Sequence, residues 1–398
     1  MRALLLENLH PLARAALDDA GIDVVERPGA LDEDELIDAL DGVDLLGIRS
    51  KTEVTRRVLE ARPDLTAIGA FCIGTNQIDL AAATERGIAV FNAPYSNTRS
   101  VVELAVANII AMARRLTERD KALHAGVWDK SATGSHEIRG RTLGIVGYGN
   151  IGSQLSVIAE ALGMRVYFYD TDDKLALGNA TRCASLEELL RTVETVTLHV
   201  DGRQGNAGFF GAEQFGQMRP RSLFLNLSRG FLVDYETLRD ALVSGHLAGA
   251  SVDVFPQEPK KRGDAFDSPL RGLPNVILTP HIGGSTEEAQ EDIGRFVGNK
   301  LRQYVFGGAT SLSVNLPSLT PDATMHAQRI AHLHHNTPGV LAHVNQILAE
   351  HGVNIDGQVL ATRGQLGYVV TDTSSQLSAA VLTELRAVPE TIRLCVID

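Results

Sequence analysis

Cysteine is scarce in this 398-residue chain: three occur, Cys72, Cys183 and Cys395. They are widely spaced and show no metal-type pairing, which argues against a disulfide framework or a metal centre and suits a reducing cytosol. Excess positive charge is missing too. A formal charge of −12 argues against nucleic acid or an anionic membrane as the main partner. An acidic protein that binds an anion must therefore gather its cations locally. No apolar run approaches the length of a membrane span. The apolar stretch at residues 3–6 is too short for a secretion signal and is followed by acidic residues. The expectation is a soluble cytoplasmic protein. Hydrophobic content of 44% and charged content of 22% are ordinary for globular protein, and the length suffices for two or three domains.

The first 95 or so residues alternate short apolar runs (4–6, 22–25, 45–48, 67–71, 88–91) with amphipathic segments (11–20, 32–40, 55–61, 79–86). That alternation predicts parallel strands and covering helices. Residues 100–116 predict a long helix passing between domains, and 121–139, which hold the only Trp (Trp128), a loop-rich connection. A second α/β unit follows, with strands expected at 142–146, 166–169, 196–200, 223–227, 249–254 and 276–278. A helix over 287–305 is placed to return the chain to the first domain. Residues 311–324, rich in Ser and Thr with two prolines, read as a linker. Beyond it the order strand, helix, two strands, helix, strand is that of a ferredoxin-like domain.

Gly147-Tyr148-Gly149-Asn150-Ile151-Gly152 is a complete G-x-G-x-x-G between an expected strand and an expected helix. The first glycine permits the tight turn, the second lets backbone approach a pyrophosphate, and the third packs helix on strand. Amides at the helix start, aided by the helix dipole, then hold the diphosphate. Asp170 stands 18 residues past Gly152, at the end of the next strand. A carboxylate there accepts from ribose hydroxyls and repels a 2′-phosphate, so NAD is the expected cofactor. A glycine turn that binds nothing is the ordinary alternative, and the full strand–turn–helix–strand–acid order speaks against it.

Arg229, Glu258 and His281 each follow an expected strand, where an open parallel sheet places its ligand crevice. Singly, they read as a surface cation, a solvated loop acid and a helix cap. Together they supply what oxidation of a 2-hydroxy acid needs: a guanidinium fork for the carboxylate and a histidine base tuned by a carboxylate.

Several longer strings resemble the signature motifs of the D-isomer-specific 2-hydroxyacid dehydrogenases. They are Phe71-Cys72-Ile73-Gly74-Thr75-Asn76-Gln77-Ile78-Asp79, Phe91-Asn92-Ala93-Pro94-Tyr95-Ser96-Asn97-Thr98-Arg99-Ser100, and the run from Leu278 to Gln290. The resemblance covers nearly the whole chain. It implies an α/β fold in which a flavodoxin-like substrate domain (1–97 and 286–310) is split around a Rossmann NAD-binding domain (98–285). A linker (311–324) and a ferredoxin-like βαββαβ ACT domain (325–398) follow. It implies that Arg229 binds the substrate carboxylate and that His281 is the acid/base paired with Glu258. Asn150 and Ile151 would meet the diphosphate, Leu227 and Ser228 the cofactor, and Asp253, Gly283 and Gly284 the nicotinamide side.

Within the family, the layout is that of members oxidising D-3-phosphoglycerate with feedback by L-serine. Arg49-Ser50-Lys51 would then take the phosphate, with Gly74, Asn97 and Gln290 as further substrate-side positions. His334, Asn336 and Asn354 would bind serine between paired ACT domains of a homotetramer. Reduction of 2-oxoglutarate is a possible side reaction. A glycerate, lactate or 2-hydroxyglutarate dehydrogenase, or an NAD(H)-sensing corepressor-like protein, are the alternatives. The chain departs from the family pattern at Asp201, where proline is usual, and in the glycine-rich stretch 202–208. Both departures are expected near the adenine and ribose.

Overall fold

The computed structural model describes residues 1–259, 263–322 and 327–397. The chain divides into two compact units, Met1–Ser96 with Gln290–Asp398, and Asn97–Ala289.

The first unit opens with β1 (Arg2–Leu6), α1 (Pro11–Asp18), β2 (Asp23–Arg27), α2 (Glu33–Ala39), β3 (Leu45–Ile48), α3 (Arg56–Ala61), β4 (Ala67–Ala70), α4 (Leu80–Glu85) and β5 (Ala89–Phe91). Its helices start where the sequence offers caps: Asp32 closes a capping box with Glu35, and Thr55 and Asp79 each accept an amide three residues on. The strands pair in parallel in the order β2-β1-β3-β4-β5. Every residue of β3, β4 and β5 is buried, as strands covered on both faces require. The order reverses between β1 and β3, so the ligand crevice of this sheet is expected beyond their carboxyl ends.

The second unit holds α5 (Thr98–Ala113), α6 (Leu116–His124), β6 (Thr142–Val146), α7 (Asn150–Ala161), β7 (Arg165–Tyr169), β8 (Thr181–Arg182), α8 (Leu186–Thr192), β9 (Thr195–Leu198), α9 (Ala212–Gln217), β10 (Ser222–Asn226), α10 (Tyr235–Val243), β11 (Leu247–Val252) and β12 (Val276–Leu278). Its seven parallel strands run β12-β11-β10-β9-β6-β7-β8, with the switch point between β9 and β6. Two expectations need correction. The long helix ends at Ala113, because Arg115 adopts φ +52 and restarts the chain as α6. Part of the stretch read as loop, up to His124, is therefore helical.

α11 (Glu287–Gly307) leads back into the first unit. Of the segment read as a linker (311–324), residues 323 and 324 lie outside the described residues, and the rest is packed rather than loose. Asn315 donates to the Ile88 carbonyl and accepts from the Val90 amide, and Leu316 and Leu319 lie in the core. The four-stranded sheet is built from β13 (Gln328–His335), α12 (Val340–Glu350), β14 (Ile355–Arg363), β15 (Leu366–Thr373), α13 (Ala379–Arg386) and β16 (Thr391–Ile397). Its antiparallel order β14-β15-β13-β16 is the ferredoxin-like one. Val340, Val344, Ile347, Val381 and Leu385 of the helices form a core with Ile330 and Leu394. Ala331, Leu333, Tyr368 and Val370 instead join a core with Val297, Leu301 and Tyr304 of α11. Both faces of the central strands β13 and β15 are thereby covered, while the edge strand β14 stays largely open. Among the described residues no helix is long and apolar enough to cross a membrane.

Candidate active site

The glycine turn sits at the switch point of the seven-stranded sheet. Gly147 has φ +91, and a Cβ there would lie 2.6 Å from the His199 carbonyl oxygen across the strand pair. A Cβ on Gly152 would stand 2.2 Å from the Gly147 oxygen, so only glycine lets α7 approach the turn. A Cβ on Gly149 would meet no protein atom within 4 Å; this is the position whose backbone faces outward. α7 begins at Asn150 with no side-chain cap, leaving the amides of Asn150 and Ile151 without intrahelical partners. Asp170 accepts from the amides of Tyr148 (2.7 Å) and Asp172 (2.9 Å), so it also ties the turn to the end of β7. Bare helix-start amides, an outward-facing glycine and a strand-end carboxylate fit a dinucleotide.

Three turns converge at the ends of β10, β11 and β12. After β10, the buried Asn226 accepts the Ser228 amide (3.1 Å) and donates to the Arg229 carbonyl (3.0 Å). Ser228 Oγ donates to the Leu198 carbonyl at 2.6 Å, tying Leu227-Ser228 to the end of β9. Among the described residues the Arg229 guanidinium donates one hydrogen bond, to the Ser228 carbonyl. After β11, Tyr235 Oη donates to the Val254 carbonyl at 2.6 Å and joins that segment to Asn226. Glu258 accepts the Phe255 amide at 3.0 Å through one oxygen and faces His281 Nδ1 at 2.8 Å with the other.

A carboxylate at Nδ1 places the proton there and leaves Nε2 as the working nitrogen. Hydrogen bonding to Glu258 holds the His281 pKa above its ordinary value of 6.5, while burial and the nearby Arg229 oppose. Burial pushes the Glu258 carboxyl up, but bonds from His281 and the Phe255 amide outweigh it and the net direction is down. Arg229 acts electrostatically on both members of the pair, which puts all three groups in one site. A dyad with an imidazole tuned upward beside a guanidinium is equipped to move a proton at a carbon that carries a carboxylate.

Sequence reasoning missed how the His281 turn is held. Asp253, 1% exposed, accepts from Thr279 Oγ1 (2.5 Å), Ile282 N (2.9 Å) and Gly283 N (2.7 Å). His281 itself adopts φ +54, and the three bonds fix the turn in that conformation. Gly284 lies against Asn97, whose Nδ2 would stand 2.1 Å from a Cβ. The departures at 201–208 reach further than expected. Asp201 accepts from the Arg203 amide and from Asn206 Nδ2, while Gly202 packs beside the Arg229 side chain. Arg203 also acts on Asp172, two residues past Asp170. The loop therefore packs beside Arg229 and acts electrostatically at the end of β7.

In the first unit, Arg49-Ser50-Lys51 follows β3 at that sheet's switch point. The buried Glu7, at the end of β1, accepts the amides of Arg49 (3.3 Å), Lys51 (3.1 Å) and Thr52 (2.8 Å). Gln77 Nε2 donates to the Arg49 carbonyl (2.5 Å) and, at 3.4 Å, to that of Gly74, drawing the two segments together. Glu7 was not legible as a scaffold, since its signal lies in strand order. Gln290 lies in the first turns of α11.

In the small domain, His334 is 2% exposed; its Nδ1 meets the His335 carbonyl (2.9 Å) and its Nε2 has no partner. Asn336 lies just past it. Asn354, however, precedes β14 at the other end of the sheet: His334 pairs with Gly367, whereas Ile355 pairs with Thr373. Six residues of strand separate those registers, roughly 20 Å. One chain does not bring the three together.

Residues 106–283 match the NAD-binding domain of the D-isomer specific 2-hydroxyacid dehydrogenases, and 330–393 match an ACT domain of the acetohydroxyacid synthase small-subunit type. The D-3-phosphoglycerate dehydrogenase of Escherichia coli K12 is 48% identical over 99% of this chain and 96% of its own. That of Dictyostelium discoideum is 45% identical with the same coverage. Among solved structures, D-2-hydroxyisocaproate dehydrogenase superposes with a TM-score of 0.72 at 25% identity, over 79% of this chain and all of its own. The NAD complex of Staphylococcus aureus formate dehydrogenase gives 0.66 at 26%, over 76% and 95%.

Proposed function

The chain belongs to the D-isomer specific 2-hydroxyacid dehydrogenase family, and from that premise we propose that it oxidises D-3-phosphoglycerate to 3-phosphohydroxypyruvate, opening the phosphorylated route to L-serine. The observation that carries this reading is the Glu258–His281 dyad beside Arg229 in a chain 48% identical, end to end, to enzymes of that name. NAD is the cofactor and, when bound, accepts the C2 hydride. The diphosphate is held by the amides at 149–151, the ribose by Asp170, and the nicotinamide side by Leu227, Ser228, Asp253, Gly283 and Gly284. Arg229 grips the substrate carboxylate with its planar fork and stabilises the oxygen that becomes the carbonyl. His281 Nε2 takes the C2 hydroxyl proton, and Glu258 stabilises the imidazolium that forms. In the reverse direction the same nitrogen returns the proton.

Arg49, Ser50 and Lys51 receive the substrate phosphate, with Gly74, Asn97 and Gln290 completing the substrate contacts. Support for Arg49 comes from its position at the switch point of the first sheet. We further propose that L-serine binds at His334 and Asn336 of one chain and Asn354 of a second. Their separation within a single chain and the partnerless buried Nε2 of His334 support a site shared between paired small domains. Two kinds of twofold contact, between small domains and between nucleotide domains, then make a homotetramer in the cytoplasm.

The test is NADH formation from D-3-phosphoglycerate, with and without L-serine, alongside glycerate, lactate and 2-oxoglutarate. Turnover of D-3-phosphoglycerate that falls with R49Q/K51Q through KM is expected. Good turnover of an unphosphorylated hydroxy acid with none of D-3-phosphoglycerate refutes the assignment.

A further inference from the structure

The seven-stranded sheet borders a polar cavity at the amino ends of its strands, and so opposite the glycine turn. It has a volume of about 510 Å³ and is bounded by the C-terminal end of α5, the starts of β6, β10 and β11, and the turn before β12. Arg115, Arg141, Arg219 and Arg221 line it, against the carboxylates of Glu118 and Glu194. Two of the four guanidinium charges are matched: Arg115 pairs with Glu118 at 2.5 Å and Arg141 with Glu194 at 3.1 Å. Arg219 reaches only the Thr192 carbonyl (3.3 Å), and among the described residues no carboxylate lies within ion-pair distance of Arg221. In a chain of net charge −12, this local excess of cation is the opposite of what composition provides.

Two further observations point to a ligand. Ser222, 2% exposed, and Asn275, 8% exposed, each line the cavity and leave a buried oxygen without a partner, Oγ and Oδ1 respectively. Arg141 Nε is likewise buried and unpartnered. Buried polar atoms are almost always satisfied, so three orphans on residues that border one cavity set this region apart. The backbone is also strained here. Arg115 (φ +52), Arg221 (φ +65) and Asn275 (φ +51) are three of the seven non-glycine residues with positive φ among those described, and another of the seven is His281. Such conformations concentrate at functional sites.

We propose that this cavity binds a small hydroxylated phosphate ester, separate from both substrate and cofactor. Arg219, Arg221 and Arg141 Nε supply charge-assisted donors for the phosphate, Ser222 Oγ a further donor, and Asn275 Oδ1 the acceptor for a ligand hydroxyl. β10 runs from Ser222 in the cavity to Asn226, which anchors the Arg229 turn, so one strand spans the two sites. The inference does not depend on which 2-hydroxy acid is turned over.

The probe is β-glycerol phosphate, titrated calorimetrically into the full chain carrying R49Q/K51Q and saturated with NADH, so that the other two anion-holding sites are weakened or filled. Saturable binding of one probe per chain is expected. R219Q/R221Q in that background should weaken it at least about ten-fold, as loss of one or more charge-assisted bonds requires. S222A should weaken it by a smaller factor without lowering the melting temperature, because the hydroxyl has no partner in the free protein. Absence of saturable binding at millimolar probe, or binding that R219Q/R221Q and S222A both leave unchanged, overturns the proposal. S222A keeps the test decisive where the double arginine variant fails to fold.

Discussion

Gly230→Ala probes the coupling between the cationic turn and the acid–base pair without touching a reacting group. Gly230 follows Arg229, and its backbone crosses that of Phe255-Pro256 at close range. A Cβ there would lie 2.0 Å from the Phe255 carbonyl carbon, 2.2 Å from its oxygen and 2.5 Å from Pro256 N. All three are backbone atoms, so no rotamer change relieves the clash. Carbon atoms settle at roughly 3.5 Å, so the two segments must part by about 1.5 Å. One of them carries Arg229; the other carries Glu258, whose oxygen caps the Phe255 amide. A displacement of that order in a reacting site costs about 10²-fold in rate, and overpacking costs about 1–3 kcal/mol of stability. The glycine turn is on β6 and is untouched, so NADH affinity should hold within a small factor. NADH absorbance gives kcat, NADH fluorescence titration gives affinity, and a melting curve reports folding. A folded G230A protein with the parent kcat would show that Arg229 and Glu258 are not positioned through this crossing.

Gly149→Ala should leave the melting temperature unchanged, since a Cβ there meets no protein atom within 4 Å, yet weaken NADH binding about ten-fold or more by standing where the diphosphate approaches. Equal affinities for the two proteins would contradict that orientation. Glu258→Gln removes the main group that raises the His281 pKa, leaving burial and Arg229 to lower it against the weaker pull of Asp253. Hydroxyl oxidation needs neutral imidazole, so its rate climbs as pH rises through that pKa, and the climb should move to lower pH in the variant. Carbonyl reduction needs the imidazolium, so its loss on raising pH should also begin earlier; unmoved limbs in both directions would dissociate Glu258 from the proton transfer. Neither H334A nor N354A should respond to L-serine alone, whereas hybrids of the two, mixed and reassembled, should regain part of the response because one of the two shared sites at each mixed interface is then intact. Hybrids as insensitive as their parents would argue against a shared site.

The glycine turn and the acid at the end of β7 were legible in place because their pattern is local: three glycines, a strand and an acid within a short stretch. The three-turn site was legible as a set of strand ends, but its internal bonds were not. Asn226, Tyr235 and Gly230 act across neighbouring strands, and which strands are neighbours is a fact of topology. Glu7 is the plainest case. In sequence it is an acid after the first strand, and it becomes the support of the Arg49 loop because β1 pairs with β3. The end of the long helix at Ala113 was hidden because apolar periodicity runs on past the point where Arg115 turns left-handed. The packed segment after α11 was hidden for the opposite reason: Ser, Thr and Pro suggest a loose linker, while Asn315 spends its side chain on the backbone beside β5.

An acidic protein that handles an anionic substrate faces a conflict, and the strand ends show how this chain resolves it. Glu7, Asp170 and Asp253 all stand at the carboxyl ends of strands, where the ligand is expected, and each would repel a phosphate or carboxylate if its charge were free. Each is instead tied to donors of its own loop: Glu7 to three amides, Asp170 to two, Asp253 to two amides and a hydroxyl. Bonds to a charged acceptor contribute about 1.5–3 kcal/mol apiece, enough to fix a strained turn such as that of His281. The same bonds turn each carboxylate toward the backbone of the loop it holds. Negative charge thus serves as scaffold for the loops at these strand ends, among them the one that carries Arg49 and Lys51. Removing one such acid should disorder its loop before it improves the local potential, so E7Q should raise KM for the phosphorylated substrate rather than lower it.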